Sequence, residues 1–451
     1  MDKDIHLLVI ALPAYGHLIP TLELARSLST FHTVTFAASA QRTTQLSTKH
    51  HFHPTPSEDI TVRGIDDGIP EDVPDPQEFA NRIMHSFFPA VERLLRSVPT
   101  GTEPGAVDAV ITDNFCGKPM EVCTERGIPY YLFHTLATRG LRFFMRMDDK
   151  TKIVPVTDCR LFDILPPPGK SVPEVSAMYA EIMLNIRPAT MGSHGVLTNS
   201  FRVMDQPDLD ALRSESDFGD LPMFYVGPIF PREPKTSPDD RVLKFLEKQP
   251  PKSTVYVSFG TGSGPSEEQT VELANALLVT GRPFVWALRE QMHRVLPEAI
   301  QKKMQDDNAG FVITNWAPQK AVLASDRLRV FVCHCGWGGL MEGLYAGVAM
   351  VAWPMFGDQW LNAEWLAEHG VAFRIPDTKA RGGRLVPASE IAEAIRTVAG
   401  VDGKVSAYQR AAERWQAEVQ AALGPQGTSS KELEGFAMLT LNMEPPDPIS
   451  D

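Results

Sequence analysis

No run of apolar residues in this 451-residue chain approaches the roughly 18 to 20 that a membrane-spanning helix needs, and no run rich in Lys and Arg occurs anywhere. The first absence counts against a helical membrane protein. The second, with a formal net charge of −13, counts against nucleic acid as a partner, because displacing counterions from phosphates takes a dense basic face. Cysteine is scarce and odd in number: Cys116, Cys123, Cys159, Cys333 and Cys335 make five. That usage fits a reducing compartment rather than a disulfide framework. No segment repeats at a solenoid period. What is present is ordinary globular material, 43% hydrophobic and 22% charged, long enough for two domains with separate cores. The opening "MDKDIHLLVIALPAYGH" places a short apolar run behind two acidic residues and ahead of a turn, which reads as a buried strand rather than a signal peptide. A soluble, cytoplasmic, monomeric protein is expected.

Periodicity organises the chain into α/β units. Ile5 to Leu12 is a near-continuous apolar strand, "PAYGH" a turn, and Leu18, Leu22, Ala25 and Leu28 recur at helical spacing before a strand at Thr33 to Ala37. Strands at Ala109 to Thr112 and Tyr130 to Phe133 continue an open parallel sheet covered on both faces. Residues 54–80 and 155–175 are rich in Pro, Gly and acids and read as long loops. Four prolines in "VGPIFPREPKTSPDD", 226–240, interrupt both periodicities and mark a linker. Alternation then restarts: strands at Thr254 to Phe259, Pro283 to Leu288, Phe311 to Thr314, Arg329 to Cys333 and Met350 to Trp353, with helices at Ser266 to Val279, Leu340 to Ala346 and Trp360 to Glu368. The expected division is an N-terminal domain over 1–230, a linker region over 231–252, a second doubly wound domain over 253–430, and a helix with a disordered tail over 431–451. Ligands in open α/β sheets bind outside the carboxyl ends of strands, so the expected site is a cleft between two Rossmann-like domains.

The stretch "FVCHCGWGGLMEGLYAG", 331–347, runs from a strand through a glycine turn into a helix with no Ser, Thr, Asn or Asp to cap it. Backbone N–H groups at a helix start need acceptors, and a glycine-rich turn in this context holds phosphate through N–H groups and the helix dipole. The same glycines also permit tight packing alone. The turn is neither a P-loop, since no Lys-Ser/Thr pair follows, nor a dinucleotide fingerprint, since G-x-G-x-x-G spacing is absent. "CHC" at 333–335 is not a metal motif, because successive side chains at a strand end point to opposite faces. Nearby, Trp316 offers a flat indole for a base, Gln319 and Glu342 offer groups for a ribose diol, and Asp358 and Gln359 suit sugar hydroxyls. Each has a structural alternative: Trp316 as core, Gln319 as a cap, Asp358 as a helix N-cap. His17, after a turn at the carboxyl end of the first strand, has the side chain suited to proton abstraction near neutral pH, and Asp113, at the end of Ala109 to Thr112, faces the same edge and can orient it.

Taken together, "WAPQKAVLASDRLRVFVCHCGWGGLMEGLYAGVAMVAWPMFGDQ", 316–359, resembles the donor signature of plant-type family 1 UDP-glycosyltransferases. "YGHLIP", "ITDNF", "GVLTNSF", "YVGPI" and "VYVSFGT" extend that resemblance across the chain. It implies the GT-B fold, an N-terminal domain for the acceptor, a C-terminal domain for a UDP-sugar, and inverting transfer without a metal or other cofactor. It implies that Trp316 stacks on uracil beside the Ala317 backbone, that Gln319 and Glu342 take the ribose, and that His334, Thr261 and the turn at Gly338 and Gly339 meet the diphosphate. Trp337, Asp358 and Gln359 would face the sugar, with Gln359 pointing to glucose, and Thr135 would reach the sugar's 6-hydroxyl. His17 and Asp113 would be the base and its partner.

Four positions depart from the family pattern. Gly338 and Gly339 replace an Asn-Ser pair whose side chains hold the phosphates, a loss of two hydrogen bonds of about 0.5–1.5 kcal/mol each unless N–H groups or water compensate. Ser325 replaces a His and Ala349 a Pro. A non-catalytic UDP-sugar-binding regulator is the alternative that a weakened phosphate site raises, and a UDP-sugar epimerase is a third. The apolar stretches "MHSFF", 84–88, and "LRFFMRM", 141–147, read either as the wall of a pocket for a phenolic, flavonoid or terpenoid acceptor or as core.

Overall fold

The structure, a computed structural model, describes residues 5–49, 55, 57–70, 73, 76–146, 181–215, 218–232, 240–260, 264–305, 309–314, 317–378, 384–400 and 404–441. Thr261, Trp316, Cys159, the loop expected at 155–175 and the tail beyond Leu441 lie outside them. The chain forms two compact units. Among the described residues the first comprises those up to 232 together with those from Ala421 onward, and the second comprises 240–420.

The first unit is built on seven parallel strands: β1 His6–Ile10, β2 Thr33–Ser39, β3 Ile60–Ile65, β4 Ala109–Asp113, β5 Tyr130–His134, β6 Val196–Thr198 and β7 Met223–Tyr225. Their order is β3-β2-β1-β4-β5-β6-β7. The central strands read as unbroken apolar runs because both faces are covered. Along β1, Leu8 and Ile10 enter one buried cluster with Val110 and Leu132, while Leu7 and Val9 enter another with Phe36 and Phe133. Alternation thus serves two cores rather than one core and solvent.

The second unit has six parallel strands: β8 Thr254–Ser258, β9 Phe284–Ala287, β10 Gly310–Ile313, β11 Leu328–Cys333, β12 Met350–Ala352 and β13 Ala372–Arg374. They are ordered β10-β9-β8-β11-β12-β13. Both units are therefore doubly wound, Rossmann-like sheets.

Three features differ from the sequence expectation. Residues 54–80, expected as a loop, contain β3 and the start of the helix Pro76–Arg82; β3 is an edge strand with a largely exposed pattern, so it lacks the apolar run that marks its neighbours. The expected linker region contains the helix Asp240–Glu247 of the second unit. The last helix, Thr428–Leu441, does not stand apart but packs within the first unit.

That helix buries Phe436 edge-on against Tyr131 and Phe224, with ring centroids 4.9 and 5.2 Å away. Glu432 accepts hydrogen bonds from Arg202 Nε at 2.7 Å and Nη2 at 3.0 Å, and from the Tyr225 N–H at 2.6 Å. Ser429 donates to the Gly227 carbonyl at 2.6 Å. Truncating a fully buried Phe leaves a cavity as well as losing transfer energy. Phe436→Ala is accordingly expected to cost about 3–5 kcal/mol, seen in urea unfolding as a loss confined to the first unit's transition.

Candidate active site

In the first sheet, β1 and β4 are neighbours, yet the chain winds from β1 outward to β2 and from β4 the opposite way to β5. Such a switch point opens a crevice outside the strand ends. His17 and Asp113 flank it. The helix Tyr15–Leu28 begins earlier than expected, so His17 sits in its first turn rather than in a preceding loop. Its N–H bonds the Ala14 carbonyl at 2.9 Å, and its own carbonyl accepts from Thr21 Oγ1 at 2.7 Å. Asp113 ends β4 fully buried. One oxygen accepts from the Phe115 N–H at 2.9 Å and the other lies 2.8 Å from His17 Nδ1.

An ionised carboxylate can only accept, so the proton between the two side chains resides on Nδ1, and Nε2 keeps its lone pair. His17 remains 20% exposed while Asp113 is 0% exposed, so the imidazole can be reached and the carboxylate cannot. Phe115 meets the imidazole edge-on at 4.9 Å and is itself backed by Phe144 at 5.5 Å. Thr135 Oγ1 lies 3.2 Å from His17 Nδ1. Of the apolar stretches read as pocket or core, Phe87, Phe88, Leu141, Phe143, Phe144 and Met145 are buried, while Met84 is partly exposed.

The second sheet has its own switch point between β8 and β11. Gly260 follows β8 and His334 follows β11. A Cβ on Gly260 would stand 2.7 Å from His334 Nε2, and one on Gly336 would stand 2.5 Å from it, so two glycines hem the ring from either side. Burial pushes the His334 pKa down to about 4, with a backbone hydrogen bond at Ser258 the weaker, opposing influence. The ring is neutral near pH 7 and acts as a hydrogen-bonding group, not a cation.

The helix expected to start near Leu340 starts at Trp337, with Gly336 as its N-cap and no side-chain cap. Gly338 and Gly339, which carry no apolar signal, therefore lie inside its first turn. The bond from Leu340 N–H to the Gly336 carbonyl, 3.0 Å, closes that turn. Preceding N–H groups have no intrahelical acceptor. Cys335 enters the turn at φ 61°, a left-handed conformation uncommon for a residue with a Cβ. Its sulfur is buried 3.9 Å from that of Cys333. Gly338 is open, with nothing within 4 Å of an added Cβ, whereas one on Gly339 would lie 3.3 Å from Gln319 Nε2.

Around this turn the structure brings several expected residues together. Gln319 donates from Nε2 to Glu342 Oε2 at 2.7 Å and accepts from the Tyr256 hydroxyl at 3.2 Å. The Ala317 carbonyl accepts from the Gln319 N–H at 2.8 Å. Asp358 precedes the helix Gln359–Glu368, as an N-cap would, but accepts from the Asn362 side chain at 2.7 Å instead of from the helix backbone. Asn362 also donates to the Cys335 carbonyl at 2.9 Å, tying the two turns together. Gln359 turns its oxygen back to the N–H groups of Met355 and Phe356, at 2.9 and 3.1 Å. Trp337 is buried at 5% exposure.

Gly336 belongs to the glycine turn expected to hold phosphate, whereas Phe115, Tyr256, Asn362 and Gly260 are not among the expected site residues. Of these only Gly260 has a local signal, in its strand-to-turn context after β8; the others acquire their place from tertiary contacts. Among the described residues, no group of three His, Cys, Asp or Glu is placed to hold a metal ion, and no helix is long and apolar enough to cross a membrane.

The depressed pKa of His334 makes a testable link to stability. Between the ordinary value of 6.5 and about 4, the unfolded chain binds a proton that the folded ring does not. The stabilising contribution of His334 is full above pH 6.5 and fades as pH falls toward 4. The stability difference between wild type and His334→Asn should therefore shrink from pH 7 to pH 4.5 in denaturant titrations. A difference independent of pH would contradict the buried, neutral ring.

Two doubly wound sheets, one presenting a histidine-aspartate pair and the other an uncapped helix start at their respective switch points, define a GT-B type sugar-nucleotide transferase. A family described as "Glycosyltransferase, N-terminal domain" matches residues 3–231, and one described as "UDP-glucoronosyl and UDP-glucosyl transferase" matches residues 195–396. UDP-glycosyltransferase 71E1 of Stevia rebaudiana is 31% identical over 88% of this chain and 91% of that protein. Flavonol 3-O-glucosyltransferase UGT71C4 of Arabidopsis thaliana is 28% identical over 88% of this chain and 90% of its own. Among solved structures, Medicago truncatula UGT71G1, complexed with UDP-glucose, superposes with TM-score 0.79 at 24% identity, covering 98% of this chain and 99% of that one. The chain belongs to the plant-type family 1 UDP-glycosyltransferases, and it is a glycosyltransferase.

Proposed function

We propose that this enzyme transfers glucose from UDP-glucose to a hydroxyl of a small lipophilic acceptor, a phenolic or flavonoid or else a terpenoid, with inversion at the anomeric carbon. The observation that carries this reading is the 2.8 Å contact between His17 Nδ1 and the buried Asp113. It leaves Nε2 as the base and gives the resulting imidazolium a counter-charge. A protein that only bound a UDP-sugar would need neither group.

In the proposed step the acceptor hydroxyl attacks the anomeric carbon, its proton passes to His17 Nε2, and the bond from that carbon to the diphosphate oxygen breaks. UDP leaves with the bonding electrons. Its growing negative charge is assigned to the neutral His334 ring and the first N–H groups of the helix Trp337–Tyr345, whose start has no side-chain cap. Those N–H groups stand in for the Asn-Ser side chains that Gly338 and Gly339 lack. Gln319 and Glu342, already hydrogen-bonded to each other, are assigned to the ribose, Trp316 and the Ala317 backbone to the base, and Thr261 to the diphosphate. Trp337, Asp358 and Gln359 are assigned to the sugar. The glucose preference draws on Gln359 and on the related glucosyltransferases. Operation as a cytoplasmic monomer is part of the same reading.

The test is product formation by mass spectrometry, with UDP-glucose and a panel of flavonoids, simple phenols and terpenoid alcohols. A glucoside one hexose heavier than its acceptor is expected. UDP-glucose binding without a product from any acceptor would favour the regulator, and conversion of UDP-glucose without an acceptor would favour an epimerase.

A further inference from the structure

His17 Nδ1 has two oxygen neighbours, Asp113 Oδ2 at 2.8 Å and Thr135 Oγ1 at 3.2 Å. Because the carboxylate can only accept, Nδ1 carries a proton, and toward that proton the Thr135 hydroxyl oxygen is also an acceptor. One N–H is therefore shared between two oxygens in a three-centre bond.

The segment carrying Thr135 is held along its length. The Asn199 N–H donates to the His134 carbonyl at 2.8 Å, and His134 Nε2 donates to the Ala137 carbonyl at 2.9 Å. Thr198 Oγ1 donates to the Leu136 carbonyl at 3.0 Å. Asp205 accepts from both the N–H and the hydroxyl of Thr138, at 2.7 and 2.8 Å. His134, Thr198 and Asp205 are buried at 0%, 0% and 1% exposure, and the transfer step has no use for them. Burial keeps His134 neutral, with its pKa near 4. These bonds hold His134, Leu136, Ala137 and Thr138 on either side of Thr135, which at 2% exposure sits between them before any substrate arrives.

We propose that Thr135 is a positioning residue for the base: with Asp113 it holds the His17 imidazole in the Nδ1–H tautomer and at a fixed tilt, so that Nε2 is aimed at the acceptor hydroxyl. The proposal rests on His17 being the base. It differs from the contact with the sugar's 6-hydroxyl that the family resemblance implies for this position.

Thr135→Val keeps the shape and removes the hydroxyl, and Thr135→Ser restores it. With UDP-glucose and with UDP-xylose, which has no 6-hydroxymethyl group, kcat of the valine variant is expected to fall about tenfold alike, donor KM to stay unchanged, and serine to recover the rate. Nitrogen NMR of labelled histidine in the substrate-free protein should show His17 protonated on Nδ1 in all three proteins, with its Nδ1 and Nε2 resonances shifted and broadened in Thr135→Val, as a ring free to tilt requires, and restored in Thr135→Ser. A loss confined to UDP-glucose overturns the proposal in favour of a sugar contact, and so do identical His17 spectra in all three proteins, whatever the rates. If no donor and acceptor pair turns over, the proposed activity fails while the spectra still decide the role of Thr135.

Discussion

His17→Ala is expected to lower glucosyl transfer by about three orders of magnitude, within the range that a positioned general base supplies, while UDP-glucose still binds. No hydroxide-like group replaces the imidazole in that variant, and a neutral acceptor hydroxyl is a poor nucleophile near pH 7. The donor-side groups belong to the other unit and are untouched, so the dissociation constant for UDP, read by calorimetry, should stay within a few-fold of wild type. Asp113→Asn sharpens the test. Asp113 Oδ1 is held by the Phe115 N–H at 2.9 Å, which keeps an oxygen there and turns the new amide NH₂ toward His17 Nδ1. A donor facing Nδ1 favours the Nε2–H tautomer, which has no lone pair to offer an acceptor. The asparagine variant should therefore be nearly as slow as His17→Ala although it is almost isosteric. Retention of more than a tenth of wild-type turnover by either variant would remove His17 from the role of base.

Gly336→Ala is expected to lose donor binding by about ten- to a hundredfold, the equivalent of about 1.5–3 kcal/mol for hydrogen bonds to a charged group. The added methyl would stand 2.5 Å from His334 Nε2 and 3.0 Å from Cε1, closer than atoms approach without displacement. Relief requires the ring to swing or the N-cap to move, and either shifts donors away from a bound diphosphate. Gly435→Ala, in the helix Thr428–Leu441 with open space at the Cβ position, controls for the general effect of replacing a helical glycine. UDP affinity unchanged in Gly336→Ala would mean that the His334 ring has room to move and does not set the phosphate site.

Legibility in the sequence followed burial. Strands covered on both faces, such as β1, β4, β8 and β11, announced themselves as apolar runs, and their order along the chain implied doubly wound sheets. Of the three-residue strands β6, β7, β12 and β13, β12 was read from the apolar run Met350 to Trp353 and the other three gave no separate signal, and β3 alternates at an exposed edge among prolines and glycines. Helix starts were misplaced where the first turn holds residues that give no apolar signal, Gly16 and His17 after Tyr15 and Gly338 and Gly339 after Trp337. The candidate site residues were picked out for a different reason: His17, Asp113, His334 and Gln319 lie at strand ends or helix starts, where chemistry-bearing side chains have a positional meaning, whereas Glu342 lies beyond the first turn of the helix Trp337–Tyr345.

By itself, the sequence determined that the chain makes two parallel α/β sheets, that a histidine and an aspartate follow neighbouring strands, and that one helix opens without a side-chain cap, because these depend on local pattern and residue type. Tertiary structure decided that the last helix seats Phe436 against the first sheet, that burial keeps His334 neutral, and that Thr135 shares the Nδ1 proton of His17 with Asp113. Those facts depend on distances between residues far apart in the chain, which hydrophobic periodicity does not encode.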